Sequence, residues 1–260
     1  MIEGITLEKK ENIAILKVDV PATRNALSVP IVEYMDTLVD EAANDPNIHC
    51  LIITGGGEKS FIAGADINNL VKMSPEEARY SIEVGHKLFS KIETLPIPTV
   101  AAVNGYCLGG GLEISMCCDI RVCSANAKFG LPEITIGMIP GWGGTLRLQR
   151  LIGQSRAKSM ILRGNMITAE QAEDYGLVME VYDSVAEMRE GAEKLAQELA
   201  SRAPITMKID KMLVYDAATA KPTDIAQRDS LALGFVFTTK DAIEGLTAFL
   251  EKRKPQYKGE

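Results

Sequence analysis

The sequence predicts an α/β protein with a largely parallel sheet, followed by an all-helical tail. Up to about residue 185, short apolar runs alternate with longer segments of helical period. That is the pattern of repeated strand–helix units. Beyond that point only helical period remains. The length of 260 residues sets the scale. At about 150 residues per domain it amounts to roughly 1.7 domains, which fits one large unit with an appendage.

The elements follow in order. Residues 13–18 (IAILKV) read as a strand. Residues 30–43 read as an amphipathic helix, because Ile31, Met35, Leu38 and Val39 recur at helical spacing. Residues 50–54 (CLIIT) form a buried-type strand that ends at three glycines. A helix over 75–95 stops before Pro96 and Pro98. Residues 99–103 (TVAAV) are again a strand, a helix starts in the glycine run at 109 and extends to 118, and 120–123 is a strand. Helices are expected over 185–202, 204–217, 224–235 and 239–253. A boundary near residue 200 divides residues 1–200 from a helical region at 201–260. The apolar residues of that tail, Leu231, Phe235, Phe237, Leu246 and Phe249, fit two readings. They form an oligomer surface, or they fold back on the chain's own core.

Composition excludes several function classes. The net charge of −7 argues against a nucleic-acid backbone as partner. It leaves room for an anionic small molecule met by a local patch and backbone N–H groups. The two histidines, His49 and His86, form no HExxH pair, and no GxSxG elbow is present. No metal site and no Ser–His–Asp triad is expected. The five cysteines are odd in number, lack a CxxC and lie in apolar runs. They read as small buried hydrophobes in a reducing, cytoplasmic setting. The N-terminus carries acids and no long apolar stretch, and no window is long and apolar enough to span a membrane.

None of the glycine-rich segments fits a nucleotide-binding motif. Gly55-Gly56-Gly57-Glu58-Lys59-Ser60 ends like a phosphate-binding loop, but Glu58 stands where a glycine must precede the lysine. Neither Gly109-Gly110-Gly111 nor Gly141-Trp142-Gly143-Gly144 fits GxGxxG, since Ile114 and Leu146 fill the last slot. Gly110 sits where the chain enters a helix, so its N–H is free to meet a developing oxyanion. Glu113 falls in the first turn of that helix, and Glu133 follows the stiffening Pro132. Two carboxyls facing one pocket divide acid and base work when their environments differ. The plainer alternatives are a helix-dipole partner for Glu113 and a solvated loop residue for Glu133.

Several stretches together resemble the enoyl-CoA hydratase/isomerase, or crotonase, family. They are Asn25-Ala26-Leu27, Phe61-Ile62-Ala63-Gly64-Ala65-Asp66-Ile67, residues 102–113 (AVNGYCLGGGLE), Cys118-Asp119-Ile120-Arg121, Phe129-Gly130-Leu131-Pro132-Glu133 and Ile139-Pro140-Gly141-Trp142-Gly143-Gly144-Thr145. Gly164, Ala169, Gly176-Leu177-Val178 and residues 249–253 extend the resemblance over essentially the whole chain.

The resemblance implies a spiral of ββα turns and C-terminal helices that build a homotrimer, or a homohexamer as a dimer of trimers. It implies an acyl-CoA thioester as substrate, whose carbonyl sits between the N–H groups of Ala65 and Gly110. Glutamates matching both Glu113 and Glu133 are a hydratase trait, so reversible hydration of a trans-2-enoyl-CoA to a 3-hydroxyacyl-CoA is the leading expectation. Arg24, Ala26, Ala63, Asp66, Ile67, Leu108, Gly109, Pro132, Gly141 and Trp142 are the matching substrate contacts. Lys59, Lys72, Lys252 and Lys254 join Arg24 as candidates for the CoA phosphates. No metal or redox cofactor is implied, since coenzyme A is part of the substrate.

Three departures stand out. Asp19-Val20-Pro21 replaces Asn-Arg-Pro, Leu131 replaces a common Gln, and Trp142 fills a slot often held by a small residue. Trp142 either narrows the acyl pocket or packs beneath the glycine loop. The alternatives to hydration are enoyl-CoA isomerisation, hydration of a cyclic enoyl-CoA, and a non-enzymatic CoA- or RNA-binding member.

Overall fold

Each turn of the chain lays one long strand in a large sheet and one short strand in a second sheet. The computed structural model describes residues 1–218 and 221–260. The strands are β1 (Ile5–Lys10), β2 (Ile13–Val18), β3 (Cys50–Gly55), β4 (Ser60–Ile62) and β5 (Thr99–Val103). They continue with β6 (Tyr106–Leu108), β7 (Ile120–Ser124), β8 (Lys128–Gly130), β9 (Ile167–Thr168) and β10 (Glu180–Tyr182). The large sheet has the order β1-β2-β3-β5-β7-β10, and the small one β4-β6-β8-β9. Apart from the β1–β2 hairpin and the β8–β9 pair, all neighbours are parallel. The alternation β3-β4, β5-β6, β7-β8 between sheets is the expected ββα spiral.

Strands β2, β3, β5 and β7 match their predicted bounds closely, whereas β1 lies outside the sequence reading. The strands of the second sheet have no signature in the residue pattern itself, because strands of two or three residues are too short to show a period of two. Its strands are set by pairing to their neighbours one turn away, for example Cys107 with Phe129.

Both faces of the large sheet are covered. Leu51 and Ile53 of β3 join one core with Leu16, Phe61 and Phe89, while Cys50 and Ile52 join a second core. That double burial is why CLIIT is apolar without alternation. The first core is closed by α1 (Val29–Asn44), whose Ile31, Met35, Leu38 and Val39 are buried as predicted. After the short α2 (Ile67–Leu70), α3 (Pro75–Glu93) starts with a complete Ser74/Glu77 capping box and packs Leu88, Phe89 and Ile92 inward.

The glycine run opens α4 (Gly110–Ser115), which ends three residues earlier than expected. Two further helices, α5 (Gly144–Ile152) and α6 (Gln154–Arg163), lay outside the sequence reading. The buried face of α5 includes Arg147, which masks its apolar period. After α7 (Ala169–Asp174), helix α8 (Val185–Ala200) closes the second core with Val185, Met188, Ala192, Ala196 and Ala200.

Much of the family-like sequence serves the frame. Asn104 is fully buried, donates to the carbonyls of Gly57 and Ser60 at 3.0 Å and accepts from the Gly55 N–H at 3.1 Å. Asn25 ties the Ser60 and Phe61 carbonyls to the Val20 N–H. Arg121 caps the carbonyls of Cys118 and Leu177. All five cysteines are buried free thiols, as the sequence suggested.

The tail comprises α9 (Pro204–Ala217), α10 (Pro222–Val236) and α11 (Lys240–Glu251). Lys211 anchors α9 to Asp119 at 2.7 Å and to the Ile97 carbonyl. Leu231, Phe235, Phe237, Leu246 and Phe249 are all exposed, so these side chains do not fold back on the chain's own core. No helix among the described residues is long and apolar enough to cross a membrane.

Candidate active site

The site forms where three loops of the spiral meet. At the first, the chain leaves β4, and Leu27 N–H donates to the Gly64 carbonyl while Asp66 N–H donates to the Leu27 carbonyl. That leaves the Ala65 N–H, between these two bonds, without an acceptor among the described residues. At the second, β6 runs into α4 through Gly109, whose φ of +51° and ψ of −125° only glycine adopts readily. Gly110 is the first residue of α4, so its N–H has no intrahelical acceptor. A Cβ on Gly109 would lie 3.6 Å from the Gly64 Cα, so the two loops abut.

The third loop, residues 141–144, carries the tryptophan. The Trp142 ring lies against Gly110 on one side and Gly85 of α3 on the other. A Cβ on Gly110 would stand 2.4 Å from Cζ3, and one on Gly85 2.2 Å from Nε1. The indole N–H donates to the Ser81 carbonyl at 3.1 Å, and Phe89 meets the ring edge-on at 5.3 Å. Trp142 therefore packs against the glycine loop and also lines the cavity.

Glu113 points from α4 into this junction and is only 2% exposed. Its Oε1 accepts the N–H of Trp142 at 2.7 Å and of Gly144 at 2.8 Å. Burial pushes its carboxyl up to about 7, with Glu133 adding to the rise; the two amides and Arg147 pull the other way. Glu133 opens a single turn of 3-10 helix, Glu133–Ile136, behind Pro132. Its Oε1 would lie 3.1 Å from a Cβ on Gly109, and its Oε2 is buried without a partner. Burial raises the Glu133 carboxyl as well.

Both glutamates line a cavity of about 180 Å³. Ala63, Ala65, Ile67, Gly109, Gly110, Pro132, Gly141 and Trp142 line it too, as expected. Asp66, Ala26, Leu108 and Arg24 do not line it. Asp66 caps α2 through Asn68 N–H at 3.0 Å. Ala26 is buried beside the Leu27–Ala65 bridge, and Leu108 backs Gly64. The Arg24 carbonyl accepts from Ser60 Oγ, and its side chain is exposed. Lys59, Lys72, Lys252 and Lys254 are exposed, and among the described residues no ion pair holds them.

Sequence reasoning missed the wall supplied by α3, Ser81 and Ile82, and the amides of Trp142 and Gly144 that hold Glu113. A glycine inside α3, Gly85, was the one available signal, since a helix tolerates glycine poorly unless something packs on it.

Comparison with known proteins agrees with this geometry. The family model for enoyl-CoA hydratase/isomerase matches residues 8–260, and the chain belongs to that family. It is 40% identical over 253 residues to the short-chain-enoyl-CoA hydratase of Clostridium acetobutylicum, covering 97% of each chain. It is 41% identical over 258 residues to the crotonyl-CoA hydratase of Syntrophomonas wolfei, covering 98% of each. A crystal structure of an enoyl-CoA hydratase from Bacillus anthracis superposes with a TM-score of 0.95 at 37% identity, over 99% of this chain and 100% of that one.

The raised carboxyl of Glu113 is a stability term. The folded state holds the proton up to about pH 7, whereas an unfolded glutamate releases it near 4.5. Stability from this group is present below 4.5 and lost as pH rises through 7, by about 3 kcal/mol in all. Glu113→Gln removes that slope, so its urea midpoint should exceed the parent's at pH 8 and approach it near pH 5. A parent and variant with parallel pH profiles would exclude the term.

Proposed function

We infer that this chain is an enoyl-CoA hydratase that adds water reversibly across the 2,3 double bond of a short trans-2-enoyl-CoA. The carrying observation is the pair Glu113 and Glu133 lining one cavity beside two free N–H groups, those of Ala65 and Gly110. An acid–base pair facing a ready oxyanion hole fits addition to a conjugated thioester.

In this reading the thioester oxygen accepts from Ala65 and Gly110 N–H. Glu113 takes a proton from water as its oxygen bonds to C3. The C2–C3 π electrons move to form an enolate held by the two amides. Glu133, written protonated, then gives its proton to C2. The unpartnered Oε2 of Glu133 and the amide-held Oε1 of Glu113 support this division, because the first favours the acid and the second the anion. One proton has passed from water to Glu113 and one from Glu133 to carbon, and exchange between the carboxyls resets the pair. The scheme calls on no metal or redox cofactor.

The acyl group is read as short because the cavity is small and Trp142 forms its wall. The CoA phosphates are assigned to Arg24, Lys59 and Lys72 on this subunit, with Lys252 or Lys254 from a neighbouring one. Self-assembly as a trimer, or a pair of trimers, is supported by the tail. Leu231, Phe235, Phe237 and Phe249 there stand 68%, 55%, 56% and 83% exposed. A cytoplasmic setting is supported by five buried, unpaired thiols.

Loss of enone-thioester absorbance with crotonyl-CoA, and a product heavier by one water, should mark the activity. Glu113→Gln and Glu133→Gln should each lower kcat by roughly 10²–10⁴-fold; near-parent rates in both would falsify the assignment, and a product of unchanged mass would indicate isomerisation. Trp142→Ala should shift the ratio of kcat/KM toward six- and eight-carbon enoyl-CoAs, and an unaltered ratio would take the indole out of acyl selection. Sedimentation of the intact chain should give a trimer or hexamer; a monomer at micromolar concentration would sink the assembly reading.

A further inference from the structure

Arg147 lies outside the cavity, yet among the described residues it is the one cation built into the core behind Glu113. Its side chain is 8% exposed and faces Glu93, itself 19% exposed. Nη2 donates to Glu93 Oε2 at 2.7 Å and Nε to the same oxygen at 3.2 Å. Nη1 donates to the Trp142 carbonyl at 2.8 Å. The guanidinium thus ties three pieces of chain together: the end of α3, the 141–144 loop and α5.

The tie bears on Glu113 through one turn. The N–H groups of Trp142 and Gly144 both point at Glu113 Oε1, and the Trp142 carbonyl points the other way, to Arg147. Gly143 has φ of +96°, and a Cβ there would stand 2.2 Å from Nη1, so the guanidinium sits directly over the turn. A peptide held at its carbonyl cannot rotate its flanking amides away from the carboxyl. One Glu113 oxygen is therefore fixed, and the other is left to meet water.

We propose that Arg147, braced by Glu93, is a positioning residue for the hydration: it locks the Trp142–Gly144 turn and thereby sets which oxygen of Glu113 faces the reacting water. The inference rests on Glu113 acting as the base. The geometry needs a fork, because one side chain must bond Glu93 and the Trp142 carbonyl at once. Lysine supplies the charge without the fork. The charged and titratable groups around Glu113 are Glu133 across the cavity, Cys117 just beyond the end of α4, and Arg147 backed by Glu93. His86 on α3 lies nearby, 3.7 Å from where a Gly143 Cβ would stand.

The test uses the intact enzyme and crotonyl-CoA. Arg147→Lys should lower kcat about tenfold with KM within threefold of the parent, and its acid limb should stay near the parent's because the charge remains. The double variant Glu93→Gln, Arg147→Met removes both charges, so no buried ion is left alone. It should lower kcat roughly hundredfold, the scale of a misplaced catalytic group. Its acid limb in kcat/KM should also move to higher pH, since the amides and cation that favour the Glu113 anion are loosened or gone. A purely structural clamp would leave that limb in place. The proposal is overturned if Arg147→Lys keeps parent kcat, or if the folded double variant keeps parent kcat or the parent limb. If the double variant does not fold, Arg147→Lys decides alone. Glu113→Gln is assayed alongside: if it retains hydration, the base assignment has failed, whereas its inactivity beside a normal Arg147→Lys enzyme refutes the positioning role only.

Discussion

A carboxyl kept almost wholly out of water is the constraint on which this molecule turns. An isolated buried carboxylate is too costly to persist as an anion. Glu113 is accommodated because two amides meet one of its oxygens at 2.7 and 2.8 Å, and a buried arginine lies behind them. Burial still leaves its proton affinity high, near neutrality. A group in that state both accepts and returns a proton at physiological pH, which suits reversible addition of water. The cost is a fold less stable above neutral pH than an amide in the same slot would give.

The close packing around that carboxyl explains the glycines. Trp142 occupies the space that side chains at Gly85 and Gly110 would need, and Gly109 takes a backbone conformation closed to other residues. The same contacts build the wall of the cavity that Gly110 lines. The cavity, the free N–H groups and the buried Glu113 carboxyl are thus consequences of one packing arrangement, and a change in any of them is felt by the others.

The acidic surface is reconciled with an anionic substrate by locality. The net charge of −7 belongs to the whole chain. The thioester end is met by backbone N–H groups, which carry no net charge. In the proposed function only the phosphates call for cations, and the exposed lysines on the loops and the tail are the proposed source. Neither histidine lines the cavity that holds the two glutamates.

The sequence alone determined the long parallel strands, the helices of the tail and the identity of the two glutamates. Apolar runs such as CLIIT and TVAAV and the periods of α1 and α8 are local properties, and the motif around Gly109–Glu113 is contiguous. What only the tertiary structure decided is everything made by contacts between distant turns of the spiral. The second sheet has strands too short to register as a pattern, and exists because each pairs with a strand one turn away. Asp66, expected to meet substrate, is engaged in capping α2, and Arg24 lends its backbone to the frame. The grip of Trp142 and Gly144 on Glu113, and of Arg147 on Glu93, joins residues 29 to 54 positions apart. A buried ion pair and a carboxyl raised by desolvation have no signature in a linear sequence, because burial is a property of the packed chain.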